Sequence, residues 1–327
     1  MIAALAKFID WSTIQVLSLL APPPTAPEPR LEEALEFLKG PGFIPAESQP
    51  ARVEFISSDS GHFRFPTPRP CGSAENNVVY GRLYRCPERW RQQPVVVLLH
   101  GRCDVFNHWY RFPSIARCCN RAGFNAATLV APYHFQRRPR RPLAAGRPDY
   151  LLLAETTAQA VAEIRALAGW LLAEGCPAVA LWGISYGGWL AGMTVCCEPR
   201  LAAAVLTIPG VRLDPGFGER VLWRRIRQRL QEQRAASEAL NQTAFNLTTT
   251  RPAIPGGKIL LIEAIHDLMV PPGAARELWQ AWGQPDFWRL PHGHISIVCM
   301  TGPGFTHRVL RWLAPRLNRP AGQTGQT

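Results

Sequence analysis

Lysine is almost missing from this chain of 327 residues. Only Lys7, Lys39 and Lys258 occur, so 33 of the 36 basic residues are arginines, set against 24 acidic ones. A net charge of +12 would suit an acidic partner, but arginine excess together with 31 prolines is also what a GC-rich genome produces. No nucleic-acid motif occurs and the arginines do not interleave with a platform of aromatics, so no nucleic-acid partner is expected. Charge alone supplies only non-specific attraction. No C-x-x-C occurs among the nine cysteines. The adjacent pairs Cys118-Cys119 and Cys196-Cys197 fall in predicted helices, and His292-x-His294 has no further ligand nearby, so neither zinc spacing nor a thioredoxin motif is present and no metal is expected. An odd cysteine total without a disulfide framework favours a reducing, cytoplasmic setting; Cys71 and Cys86 would be the pair in an exported protein. A long apolar run is missing too. Met1 to Leu20 is interrupted by Lys7 and Asp10, which is too broken for a spanning helix, and it has neither a positive n-region nor a clear cleavage site.

What is present is Gly183-Ile184-Ser185-Tyr186-Gly187-Gly188, directly after the apolar run Ala178 to Trp182. It reads as a G-x-S-x-G turn between a strand and the helix-compatible stretch Gly188 to Cys197. Small residues two before and two after the serine let strand and helix approach, and the turn lifts the hydroxyl above the sheet. Ser185 is the candidate nucleophile. Downstream, the predicted buried strand Lys258 to Ala264 leads to Asp267, and the short strand Asp286 to Leu290 leads into Pro291-His292-Gly293-His294. The order Ser185, Asp267, His294 is the Ser…Asp…His order that the turn motif anticipates. Rivals stand beside each. His292 lies two residues from His294, His266 is a local hydrogen-bonding candidate, Asp214 follows the strand Leu201 to Ile208, and Glu263 reads as a paired strand residue.

These segments resemble the α/β-hydrolase superfamily, in which a His-Asp pair followed by Val-Pro often carries the acid and a glycine commonly precedes the histidine. The likeness runs from about Val78 to Leu317. Upstream, Pro94 to Leu99 ends in His100-Gly101-Arg102, which looks like the family's oxyanion turn. The resemblance implies an α/β fold with a mostly parallel central sheet flanked by helices and a small helical cap. It also implies a cofactor-independent serine hydrolase acting on a small-molecule carboxylic ester, and a lid-covered pocket would suit a lipophilic acyl group. Ser185 would form the acyl-enzyme, His294 would carry the proton, Asp267 would orient it, and the backbone N–H groups of Tyr186 and Arg102 would hold the oxyanion. The same residues would serve an acyltransferase or an amidase. A non-catalytic member would use the pocket as a ligand-binding module.

Strands at about Val95–Leu99, Asn125–Val130, Val179–Trp182, Ala203–Ile208 and Ile259–Glu263 alternate with helical stretches, the pattern of a parallel sheet covered on both faces. Arg52–Ser57, Phe63–Phe65 and Val78–Leu83 read as a leading antiparallel section. Thr156 to Ala173 has the apolar spacing of a core-facing helix. Residues 1–50 read as an N-terminal helical extension, with a docked helix, the Pro-rich linker Ala21 to Pro29, and a second helix over Leu31 to Lys39. Residues 51–318 form the main domain, and 319–327 a disordered tail. A cap is expected at about 211–255. Within it Leu222, Ile226 and Leu230 form a stripe among Arg220, Arg224, Arg225, Arg227, Arg229 and Arg234; contact of this helix with a membrane surface is the less favoured reading. One of Arg137, Arg138, Arg140 and Arg141 would hold a substrate carboxylate or phosphate, or else they pin their loop by internal salt bridges. Asn241 and Asn246 fit the glycosylation pattern, which matters only in a secretory setting.

Overall fold

In a computed structural model, the structure describes residues 2–318 apart from 21–29, 45–46, 57–59, 103, 140–148, 215–216, 223–226, 229–230, 232, 272 and 301. The expected linker and tail, Arg140, Arg141, and Ile226 and Leu230 of the cap stripe therefore lie outside the described residues. Among the described residues one sheet runs in the spatial order β1 (Glu54–Phe55), β2 (His62–Pro66), β3 (Val78–Tyr84), β5 (Asn125–Leu129), β4 (Val95–Leu99), β6 (Val179–Ile184), β7 (Ala203–Thr207), β8 (Ile259–Ala264), β9 (Asp286–Leu290). The first three strands and β5 pair antiparallel, and from β5 through β9 every pairing is parallel. Every residue of β4, β5, β6 and β7 is buried. Such unbroken burial explains why these strands are continuous apolar runs and do not alternate.

Besides the helical residues Arg227, Gln228 and Gln231, the helices among the described residues are α1 (Ile2–Leu20), α2 (Leu31–Lys39), α3 (Phe112–Arg121), α4 (Tyr150–Ala173), α5 (Tyr186–Val195), α6 (Arg234–Leu240), α7 (Ala274–Ala281), α8 (His294–Met300) and α9 (Pro303–Leu317). On one face α4 and α5 pack over Val95, Val97 and Leu181, joined by α2, α6 and α7. On the other, Phe112 and Ile115 of α3 and Val309 and Leu313 of α9 cover Val96, Leu98 and Trp182. Burying each such aliphatic or aromatic side chain contributes about 1.5–3 kcal/mol, and both layers draw on the same strands. α4 begins at Tyr150, ahead of the expected Thr156, because the Asp149 carboxylate accepts the Leu152 N–H at 3.0 Å and caps the helix there. α5 ends at Val195, so Cys196 and Cys197 lie just past the helix that was expected to contain them. Cys71 and Cys86 are both free thiols.

In the cap region Arg227, Gln228 and Gln231 are helical, as the amphipathic stretch was expected to be, but Leu222 is not. Leu222 is exposed and lies outside any helix. Its N–H donates to Gln15 Oε1 at 2.9 Å, while Gln15 Nε2 donates to the Arg220 carbonyl, so Arg220 and Leu222 are tied to α1. Asn241 is buried, with its amide paired in both directions to the Leu213 backbone. No described helix is long and apolar enough to cross a membrane.

Candidate active site

The parallel strands end on one side of the sheet, where open α/β sheets bind ligands. Ser185 follows β6, the His100-Gly101-Arg102 turn follows β4, Asp267 follows β8, and His294 follows β9. Ser185 has φ 55° and ψ −116°, a conformation that costs a non-glycine residue of order 1–3 kcal/mol. Packing holds it there. Ser185 N–H donates to the Thr207 carbonyl at 2.9 Å. A β-carbon on Gly183 would stand 2.1 Å from the Gly187 carbonyl oxygen, and one on Gly187 would stand 2.2 Å from that of Leu99. No larger residue fits either position while the strand–helix crossing keeps this shape.

Three of the sequence-predicted side chains meet in one hydrogen-bonded chain. Ser185 Oγ lies 2.9 Å from His294 Nε2, and His294 Nδ1 lies 2.7 Å from Asp267 Oδ2. The other Asp267 oxygen accepts the N–H groups of Met269 at 2.7 Å and Val270 at 2.9 Å. With that carboxylate on Nδ1, the neutral ring carries its proton at Nδ1 and leaves the Nε2 lone pair facing the serine hydroxyl. Burial pushes the His294 imidazole toward its neutral form, but the carboxylates of Asp267, Asp10 and Asp104 outweigh it and raise its pKa above the ordinary histidine value.

The turn after β4 lies against the serine: a β-carbon on Gly101 would be 3.5 Å from Ser185 Cβ. Two groups shape it. Asp104 accepts the Gly101 N–H at 3.3 Å and the Asn107 N–H at 3.0 Å. His100 is buried, with Nδ1 2.7 Å from the Gly101 carbonyl and Nε2 accepting the Ala131 N–H at 3.1 Å. Burial and the neighbouring His134 lower its pKa to about 3, so it is a neutral strut between the ends of β4 and β5. Tyr186 opens α5, where the first N–H groups of a helix have no intrahelical acceptor. Beside Arg102 and Tyr186 opens a cavity of about 330 Å³, walled by Tyr133, His134, Tyr150, Leu153 and Leu213 and rimmed by Gln233 and Ser237 of the cap region.

The rival residues are engaged elsewhere. Asp214 pairs with Arg220, and Glu263 pairs with Arg289 at 2.6 Å across β8 and β9. His292 Nδ1 lies 3.5 Å from Ser296 Oγ, and burial, with His266 nearby, lowers its pKa. Arg137 is fully buried and grips Glu163 with two 2.7 Å bonds, while also donating to the carbonyls of Val130 and Asn76. It pins the loop after β5 and offers no donor fork to a ligand; Arg138 is exposed. Among the described residues no group of three or more His, Cys, Asp or Glu could hold a metal ion.

Sequence reasoning missed two carboxylates here. Asp104 carries a local signal, Asp-x-x-Asn at the entry to a helical segment. Asp10 carries none, since it read only as a break in an apolar run, yet it reaches His294 from the far end of the chain.

Two uncharacterized proteins of Mycobacterium tuberculosis are each 30% identical over 267 residues, covering 78% of this chain. The chain spans 58% of the length of these curated relatives. Among solved structures, acetyl xylan esterase 1 from Thermoanaerobacterium superposes with a TM-score of 0.57 at 14% identity, covering 90% of this chain and 96% of that one. An esterase of Pyrococcus furiosus gives 0.53 at 14%, covering 83% and 97%. At such identity the likeness is one of fold, the α/β-hydrolase fold. Residues 46–250, which include Arg102, Ser185 and Tyr186 and end before Asp267, match the family described as alpha/beta hydrolase domain containing 18, and the chain belongs to that family.

Proposed function

We propose that this protein is a serine hydrolase that cleaves a carboxylic ester through an acyl-enzyme on Ser185. The observation that carries the reading is the Ser185–His294–Asp267 hydrogen-bonded chain, with its serine on a positive-φ turn. As Ser185 Oγ attacks the ester carbonyl, its proton passes to His294 Nε2, and Asp267 stabilises the imidazolium that forms. Negative charge moves onto the carbonyl oxygen, where the N–H groups of Tyr186 and Arg102 receive it. One such donor is worth about 100- to 1,000-fold in rate. Collapse expels the alcohol, protonated by His294. Water then attacks the acyl-enzyme with His294 again as base, and Ser185 recovers its proton as the acid leaves. The cavity beside Tyr186 and Arg102 would take the acyl or alcohol group of a small lipophilic ester, with Leu213, Gln233 and Ser237 of the 211–255 cap closing one side.

The test is hydrolysis of p-nitrophenyl acetate, butyrate and octanoate by wild type, Ser185→Ala and His294→Ala, with fluorophosphonate labelling in parallel. Turnover and labelling in wild type, both lost in each variant, are expected. An unlabelled wild type without turnover would refute the reading.

A further inference from the structure

Asp10 is the one carboxylate of α1, it is fully buried, and the reaction above gives it no task. Its Oδ2 accepts the His294 N–H at 2.7 Å and the Leu268 N–H at 3.1 Å, and its Oδ1 accepts the Ile295 N–H at 2.9 Å. Two of these donors open α8, and the third belongs to the residue directly after Asp267. A helix cap would need only the first two. By taking the third, Asp10 ties the backbone that carries the imidazole to the backbone that carries its carboxylate partner. The middle of α8 is held as well, since Arg111 donates to the carbonyls of Ile297 and Val298. The fit at α1 is close. A β-carbon on Gly293 would stand 2.8 Å from Asp10 Oδ2 and 2.9 Å from the Ala6 carbonyl oxygen, so no larger residue fits before His294 while α1 is seated here. The helix is seated by buried Ala6 and Ile14, and by Gln15, which reaches the segment after Phe217–Arg220.

We infer that Asp10 is a positioning residue of the active site: through it α1 holds His294 and the Asp267 loop as one unit, and the site is complete only with the N-terminal helix seated. This rests on the serine-hydrolase reading. The charged groups facing the His294 ring are Asp267 from the loop after β8, Asp104 from the loop after β4, and Asp10 from α1. Asp10 therefore acts on the histidine both by fixing its backbone and by favouring its cation.

Asp10→Asn in the full chain separates this role from simple anchoring. It keeps the side chain's size, removes the charge and turns an NH2 toward backbone N–H donors. The first readout needs no turnover: NMR titration of the His294 ring in histidine-labelled protein, assigned with His294→Gln. The pKa is expected below that of wild type, because a lost neighbouring anion disfavours the imidazolium. The second is kinetic. With p-nitrophenyl butyrate, kcat per folded site should fall about 10- to 100-fold, the cost of a small misplacement, KM should stay within about twofold, and the acid limb of kcat/KM should move to lower pH. Gly293→Ala, whose β-carbon displaces α1, should reproduce the kcat loss and covers the case in which Asp10→Asn does not fold. A His294 titration and kcat unchanged in folded Asp10→Asn, even with a lower Tm, would overturn the inference. A wild type without turnover would sink the hydrolase reading instead, and the His294 titration would still decide the role of Asp10.

Discussion

Replacing Asp267 by Asn probes the proton relay with almost no change in shape. Asp267 Oδ1 sits between two backbone donors, Met269 at 2.7 Å and Val270 at 2.9 Å, while Oδ2 faces His294 Nδ1 at 2.7 Å. In Asp267→Asn the amide oxygen keeps the two-donor position, because an NH2 there would confront two N–H groups. The NH2 therefore faces His294 Nδ1, which must become an acceptor. The ring proton moves to Nε2, pointing at Ser185 Oγ, and the histidine can no longer take the serine's proton. The same tautomer inversion in a serine protease triad costs about 10⁴ in kcat. Here the Met269 and Val270 bonds hold the amide in that orientation, so a loss of about 10³- to 10⁴-fold is expected, equivalent to about 4–5.5 kcal/mol of barrier at about 1.4 kcal/mol per tenfold. The folded state should hardly notice, since the two loop bonds survive. The assay is p-nitrophenyl butyrate turnover with active-site titration, alongside a melting curve and an Asp214→Asn control, whose carboxylate pairs with Arg220. A kcat within tenfold of wild type would refute the tautomer argument, and a loss confined to Asp214→Asn would move the acid to the other loop.

Three further outcomes are expected. Because the pKa of His294 is raised, the base is lost as pH falls through that raised value, so the acid limb of kcat/KM should lie above pH 6.5, the ordinary histidine value. The stability sign is opposite: a raised folded-state pKa stabilises fully below the unfolded value and loses that contribution as pH rises through the folded one. Melting curves and a pH–rate profile on one preparation would check both signs. Glu163→Ala should destabilise by about 3–5 kcal/mol, because it strands the fully buried Arg137 guanidinium; chemical denaturation measures this, and a loss under 1 kcal/mol would mean the arginine escapes to solvent. Leu153→Trp should fill part of the cavity of about 330 Å³ and raise KM for the octanoate at least tenfold while sparing the acetate; equal effects on the two esters would place the acyl chain elsewhere.

The fold and the three meeting side chains were legible because each is written locally. The strands that lead to Ser185 and Asp267 are short, largely apolar runs bounded by turn residues, and Asp286–Leu290, a mixed and partly exposed run, lies between the turns that flank it in the sequence. What was not legible depends on partners set far apart in the chain. For Arg137 the sequence left a ligand fork and an internal salt bridge both open, and only the fold decides, with Glu163 of α4 and the Asn76 carbonyl closing on it. β1 shrinks to Glu54–Phe55 because an edge strand exists only where its neighbour's backbone reaches it. Asp10 is the extreme case, since 284 residues separate it from His294. In the sequence it argues only against a membrane span; in the fold that same polarity is what a buried row of backbone donors requires. A carboxylate that breaks an apolar helix costs burial energy, and three N–H bonds offset that cost. The helix was readable from its apolar residues, but the bonds that tie it to the site come from Asp10, one of the two charged residues that interrupt that pattern.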